Sequence, residues 1–156
     1  MRSKLPFHRQ ETPSSCTVAR LRMILEHYGF VVSEAELRKR CQTRELGTRV
    51  ENLLSCARAL GCEAEIEYLT VGRLKELLGE GLHPIAYINM FPISHILYTH
   101  TVLVESYEGD WCWWLIPWPS PRRSVSPSSS KVGPFTVTWL LFCKERRNHH
   151  DRSAFF

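Results

Sequence analysis

The sequence predicts an α+β domain, a helical half followed by an antiparallel sheet, and three observations predict it. Between residues 14 and 60, apolar side chains recur three times at helical spacing, each run with a polar face. From residue 63 the period changes to two, in Glu63-Ala-Glu-Ile-Glu-Tyr68. Further on, Glu108-Gly109-Asp110 stands between two strand-like runs as a hairpin turn. Helices first and an antiparallel sheet afterwards is the α+β arrangement.

The elements follow in order. Residues 1–13 read as an extended lead-in, ordered mainly if it docks on the domain. Pro13, Ser14 and Ser15 then open a helix running from Cys16 to about Tyr28, with Val18, Leu21, Leu25 and Tyr28 on one stripe and Gly29 as its stop. Ser33-Glu-Ala-Glu36 is a capping box for a second helix reaching about Cys41. After a connection from Gln42 to Gly47, a third helix spans roughly Thr48 to Leu60, with Gly61 behind it. Thr70 caps a short helix through about Leu78, its Leu74, Leu77 and Leu78 directed inward. Ile85 to Met90 reads as a central strand, Phe91 to Tyr98 as a loop or small insertion, Thr99 to Tyr107 as a strand and Trp111 to Ile116 as its hairpin partner. Residues 118–134 are rich in Pro and Ser and read as a loop or linker. Residues 135–143 suit one last strand, and 144–156 form a polar tail expected to be disordered.

Composition narrows the function. A chain of 156 residues has the size of one domain with a sizeable core. The formal charge of +4 is mild and scattered, which argues against nucleic acid as a partner. No apolar run approaches the roughly 20 residues of a membrane span. The N-terminal stretch lacks the apolar core of a signal peptide, so the expected location is the cytoplasm. The six cysteines, at 16, 41, 56, 62, 112 and 143, form no CxxC pair and no zinc spacing with histidine, so no metal or cofactor is expected.

One of those cysteines differs in context. Cys16 stands on the first turn of its helix, where free N–H groups and the positive end of the helix dipole favour a thiolate. The alternative is a small buried hydrophobe, the usual fate of a free cysteine and the reading given to the other five. A nucleophilic thiol needs a base and an oxyanion donor. His100 opens a strand on the face of Val102 and Val104, opposite Thr101, Leu103 and Glu105, and is the candidate base; an ordinary core histidine is the competing reading. His95, from the preceding loop, is its rival. His8, His27, His83, His149 and His150 lie in less suitable places. Gln10, six residues before Cys16, can donate its amide to a developing oxyanion, or be a solvated residue of the lead-in.

Together these pieces resemble a family. Gln10-x5-Cys16, Ala19-x-Leu21-x-Met23-Ile24, Tyr28-Gly29, Glu36-Leu37-Arg38, Gly47, Leu60-Gly61, Pro84-Ile85 and His100-Thr-Val-Leu-Val104 are similar to the bacteriocin-processing cysteine peptidases. Those are papain-like domains that cut after a double-glycine leader and often precede a peptide-exporting ABC transporter. The resemblance covers roughly residues 5–117. It implies a papain-like peptidase domain over 1–117, with Cys16 as nucleophile, His100 as general base and Gln10 as oxyanion donor. It also implies a peptide substrate cut after a small-residue pair such as Gly-Gly, and a peptide-exporting transporter as partner.

The resemblance departs in two places. Thr17 replaces the glycine that usually follows the nucleophile, and Ile116-Pro117 replaces the Asp-Pro whose carboxylate orients the imidazole. The expectation is a thiol peptidase with slow turnover. Its alternatives are a catalytically weak or inactive domain that binds leader-like peptides, and a Cys/His acyl transferase or deamidase.

Overall fold

In the computed structural model, residues 5–68, 70–89 and 99–108 are described, together with the backbone of strands at 111–115, 122–125 and 140–145. The first helix, α1 (Cys16–His27), starts behind Ser15, whose carbonyl accepts from the Ala19 N–H at 2.9 Å. It stops because Gly29 adopts a left-handed φ of 86°. That turn lets the Gly29 and Phe30 N–H groups reach the Glu26 and Leu25 carbonyls, at 2.9 and 2.8 Å. The stripe Val18, Leu21 and Leu25 is fully buried, but so are Ala19, Met23 and Ile24. Periodicity showed one face of α1; the tertiary structure covers most of its circumference.

The capping box holds for α2 (Glu34–Arg40): the Ser33 hydroxyl accepts from the Glu36 N–H at 3.2 Å. The Glu36 carboxylate takes Arg40 one turn on, at 2.7 Å. Helix α3 (Val50–Ala59) follows, then strand β1 (Cys62–Glu67), whose Cys62 and Ala64 are buried between exposed glutamates. In α4 (Val71–Gly79) the Thr70 hydroxyl accepts from the Arg73 N–H at 3.1 Å. Leu77 alone of its three leucines is buried; Leu74 and Leu78 are half-covered.

Five further strands complete the sheet: β2 (Ile85–Asn89), β3 (Thr99–Glu108), β4 (Trp111–Leu115), β5 (Arg122–Val125) and β6 (Leu140–Glu145). Their order is β1-β6-β2-β3-β4-β5, every pair antiparallel. β2 is central, as expected, and β3 and β4 form the expected hairpin with Glu108 opposite Trp111. A register shift between Val104 and Ser106 interrupts that ladder.

Two features of the second half differ from the local reading. β5 lies inside the stretch read as a linker. β6, which takes in Lys144 and Glu145 of the expected tail, inserts between β1 and β2. The boundary expected at 117 therefore falls between two strands of one sheet. Pairing so distant in sequence leaves no local signal. Residues 91–98, 109–110, 116–117 and the stretch from 146 onward lie outside the described residues, as do His95, Ile116, His149 and His150.

The lead-in docks. Leu5 joins the core with Val18, Leu21, Leu25, Leu37, Leu53, Ile85 and Leu103, and His8 pairs with Glu26 of α1. Glu11 ties the same segment to α2: its N–H donates to Glu34 Oε1 at 2.8 Å, and its carboxylate meets Arg38 at 3.2 Å. The chain before Cys16 is thereby fixed from both sides. Among the described residues, no helix is long and apolar enough to cross a membrane.

Candidate active site

The start of α1 is built from a loop that satisfies itself. The Ser15 hydroxyl donates to the Thr12 carbonyl at 2.9 Å and accepts from the Thr12 N–H at 3.0 Å. It therefore does not cap the helix, contrary to the role expected of a serine at this position. The amides of the first turn get no side-chain oxygen from Ser15, which leaves them suited to an incoming anionic oxygen. Gln10 lies in this loop too. Its Nε2 donates to the carbonyls of Thr12 and Pro13, at 2.9 and 3.1 Å, so both amide hydrogens are engaged with the turn.

Cys16 is half-buried, whereas Cys41, Cys56 and Cys62 are buried in the core. Cys41 and Cys56 interact: a side-chain hydrogen bond between them, and after it burial, push the Cys41 thiol above the ordinary range. Cys16 instead meets the sheet. Its Sγ donates to Thr101 Oγ1 at 3.7 Å and lies 3.8 Å from Thr17 Oγ1. The two threonine hydroxyls are 3.0 Å apart and both residues are buried. Thr17, which stands in place of the family's glycine, is thus folded onto β3. Behind them Tyr87, opposite Thr101 on β2, has its hydroxyl pKa raised by burial, with Thr17 pulling the other way.

His100 is the second residue of β3, opposite Ile88 and just before Thr101. On β3, Thr101 meets α1 and Leu103 lies in the same core cluster as its apolar stripe, whereas His100 belongs to the alternate set with Val102 and Val104. The imidazole is partly buried, and burial first and the Arg20 guanidinium second hold its pKa down to about 4. The ring is therefore neutral near pH 7.

Two residues of this cluster escaped the sequence reading. Thr101 gave no signal beyond its place after a histidine. Arg20 gave one: it is a cation inside an apolar helical stripe, four residues beyond Cys16 and on the same side of α1. It is fully buried, and its Nε and Nη2 have no hydrogen-bond partner among the described residues. Burial lowers its pKa to about 10, against the opposing pull of Cys16 and Glu34. His27 and His83 sit at the other end of α1, with ring centroids 5.4 Å apart. Among the described residues no three His, Cys, Asp or Glu side chains converge to hold a metal ion.

A half-buried thiol at a helix N-terminus, set against an antiparallel sheet with a histidine-bearing strand, defines the class: an α+β domain with the papain-like cysteine peptidase fold. The chain belongs to the peptidase C39 family, whose model matches residues 4–110. Solved structures agree on the fold. A double glycine motif protease from an AMS/PCAT transporter, solved with its leader peptide, superposes with a TM-score of 0.73 at 23% identity, covering 91% of this chain and 93% of that one. The peptidase domain of the bifunctional ABC transporter ComA from Streptococcus gives 0.73 at 19% identity over 91% and 99% of the two chains. A C39-like peptidase from Bacillus anthracis gives 0.71 at 14% identity over 92% and 96%. No curated protein sequence matches the chain.

Proposed function

We propose that this chain is a thiol peptidase that cleaves a leader-type peptide after a small-residue pair such as Gly-Gly, through a Cys16 acyl-enzyme. The observation that carries the reading is the place of Cys16, half-buried on an uncapped helix start and hydrogen-bonded to the residue after His100. Family membership gives the peptidase chemistry, and the leader-bound relative suggests the substrate. By the same analogy the physiological partner is a peptide-exporting transporter, and the site of action is the cytoplasm.

In this mechanism neutral His100 takes the Cys16 proton as sulfur attacks the scissile carbonyl, so an S–C bond forms and the carbonyl oxygen becomes anionic. First-turn amides of α1 stabilise that oxygen. Gln10 joins them by exchanging one of its loop carbonyls for the oxyanion. Collapse breaks the C–N bond, and the imidazolium gives its proton to the leaving amine. Water, deprotonated by His100, then releases the acid and the free thiol.

The engaged Gln10 amide favours a second reading, a domain that binds leader-like peptides and turns them over slowly or not at all. Two measurements separate the readings. Limited iodoacetamide followed by peptide mapping should modify Cys16 ahead of Cys41, Cys56 and Cys62. A double-glycine leader peptide should give two fragments with wild type and none with Cys16→Ala. Binding of that peptide with no fragments from wild type would select the second reading.

A further inference from the structure

Glu34 is the first residue of α2 and, with Leu37, one of the two buried residues of that helix. The helix does not require it. Ser33 makes the cap with the Glu36 N–H, at 3.2 Å, and Leu37 supplies the apolar contact with the core. A carboxylate taken out of water is unfavourable unless donors meet it. Glu34 meets two donors at one oxygen: Oε1 accepts from the Glu11 N–H at 2.8 Å and from Arg38 Nη1 at 3.3 Å. Its Oε2 has no hydrogen-bond partner among the described residues, so the group is kept in the interior at a cost. What it secures there is a backbone amide 23 positions away, and that amide is the one joining Gln10 to Glu11.

A peptide unit is planar, so an acceptor on its N–H constrains the whole unit, including the Cα from which the Gln10 side chain departs. From that Cα, Gln10 Nε2 reaches the Thr12 and Pro13 carbonyls at 2.9 and 3.1 Å. Thr12 in turn is closed on the Ser15 hydroxyl, immediately before Cys16. An unbroken run of contacts therefore joins a buried carboxylate on α2 to the entrance of the thiol's helix. Arg38 and Arg22 also meet the Glu11 carboxylate, at 3.2 and 3.5 Å, but these pairs are partly exposed and contribute little. The charge-assisted bond from the Glu11 N–H to Glu34 is the firm one.

We propose that Glu34 is a positioning residue for Gln10: by holding the Gln10–Glu11 peptide unit, it keeps the Gln10 amide at the start of α1, where the oxyanion forms. This deepens the peptidase reading and rests on it for the effect on turnover. When the amide exchanges a loop carbonyl for the oxyanion, the side-chain torsions turn while the backbone stays fixed. The donor then needs little reorganisation during the reaction.

The test is a double-mutant cycle in the full chain. Glu34→Ala should lower kcat on a double-glycine leader peptide by about tenfold to a hundredfold with KM nearly unchanged, because the donor acts in the transition state. In a Gln10→Ala background the same substitution should cost less than about twofold, since nothing remains to position. Losses that simply add would make Glu34 a structural residue and overturn the proposal. Glu34→Gln still offers an oxygen to the Glu11 N–H and should recover most of kcat; no recovery overturns the proposal too. A second readout needs no turnover. By ¹⁵N relaxation the Gln10 side-chain amide should be ordered in wild type, and its order parameter should fall below about 0.6 in Glu34→Ala. An unchanged order parameter in the folded variant overturns the role. Should Glu34→Ala fail to fold, Glu34→Asp keeps the charge, draws the oxygen back by one methylene and decides by the same two measurements. A wild type that cleaves no peptide refutes the peptidase reading while the amide order still judges Glu34. Cleavage with additive losses refutes Glu34 and leaves the peptidase reading standing.

Discussion

Polar side chains gather at both ends of α1, and they are satisfied differently. At the C-terminal end, the left-handed Gly29 returns its own N–H and that of Phe30 to the helix carbonyls. His83, packed edge-on to His27, donates Nδ1–H to the Val104 carbonyl at 3.3 Å. Burial, and then the neighbouring His27, lower the pKa of that ring. At the N-terminal end the Ser15 side chain turns away from the helix amides, two Arg20 nitrogens lack hydrogen-bond partners among the described residues, and a thiol rests at long range on Thr101. Folding alone would favour satisfying such groups, so the poorly satisfied end is the one where a site is expected.

Substitutions at each end can break or sharpen that contrast. The largest effect should come from the thiol: Cys16→Ala should lower leader-peptide turnover by on the order of 10⁴-fold or more with little change in melting temperature. Turnover that survives would move the chemistry away from this end. His100→Ala should cost on the order of 10²- to 10⁴-fold. His83→Ala should leave turnover intact and reduce stability instead. Steady-state kinetics and thermal melts on both variants give the comparison, and the reverse pattern would assign catalysis to the wrong end.

Acid should weaken the fold through these same rings. His100 shifts from 6.5 to about 4, so between those values the unfolded chain binds a proton that the folded chain refuses. The stability present above about pH 6.5 therefore declines as pH falls toward about 4, by about 3 kcal/mol for this one residue, and His83 adds to it with the same sign. Urea unfolding at pH 7 and 4.5 measures the loss, and His100→Gln should flatten it.

Smaller effects distinguish contact from cap. Thr101→Val removes the oxygen shared by Cys16 and Thr17, and should cost about 1 kcal/mol of stability together with a loss of turnover. Ser33→Ala, at a satisfied cap remote from the thiol, should also cost about 1 kcal/mol but leave turnover unchanged. If both variants behave alike in kinetics, Thr101 is ordinary packing.

The sequence by itself determined what short-range physics controls. The Ser33 and Thr70 caps, the stop at Gly29, the alternation around Ala64 and the β3–β4 hairpin all depend on residues a few positions apart. The position of Cys16 at a helix start belongs to the same class, which is why it was the most legible part of the candidate site. The tertiary structure alone decided what those elements meet. It placed β6 between β1 and β2, turned the Ser15 hydroxyl back to Thr12, and engaged both hydrogens of the Gln10 amide. It also set Thr101 against a thiol 85 positions earlier and buried Arg20 one turn beyond that thiol. Such juxtapositions depend on chain closure over long separations and on the desolvation of specific atoms, and neither leaves a periodic trace in the sequence.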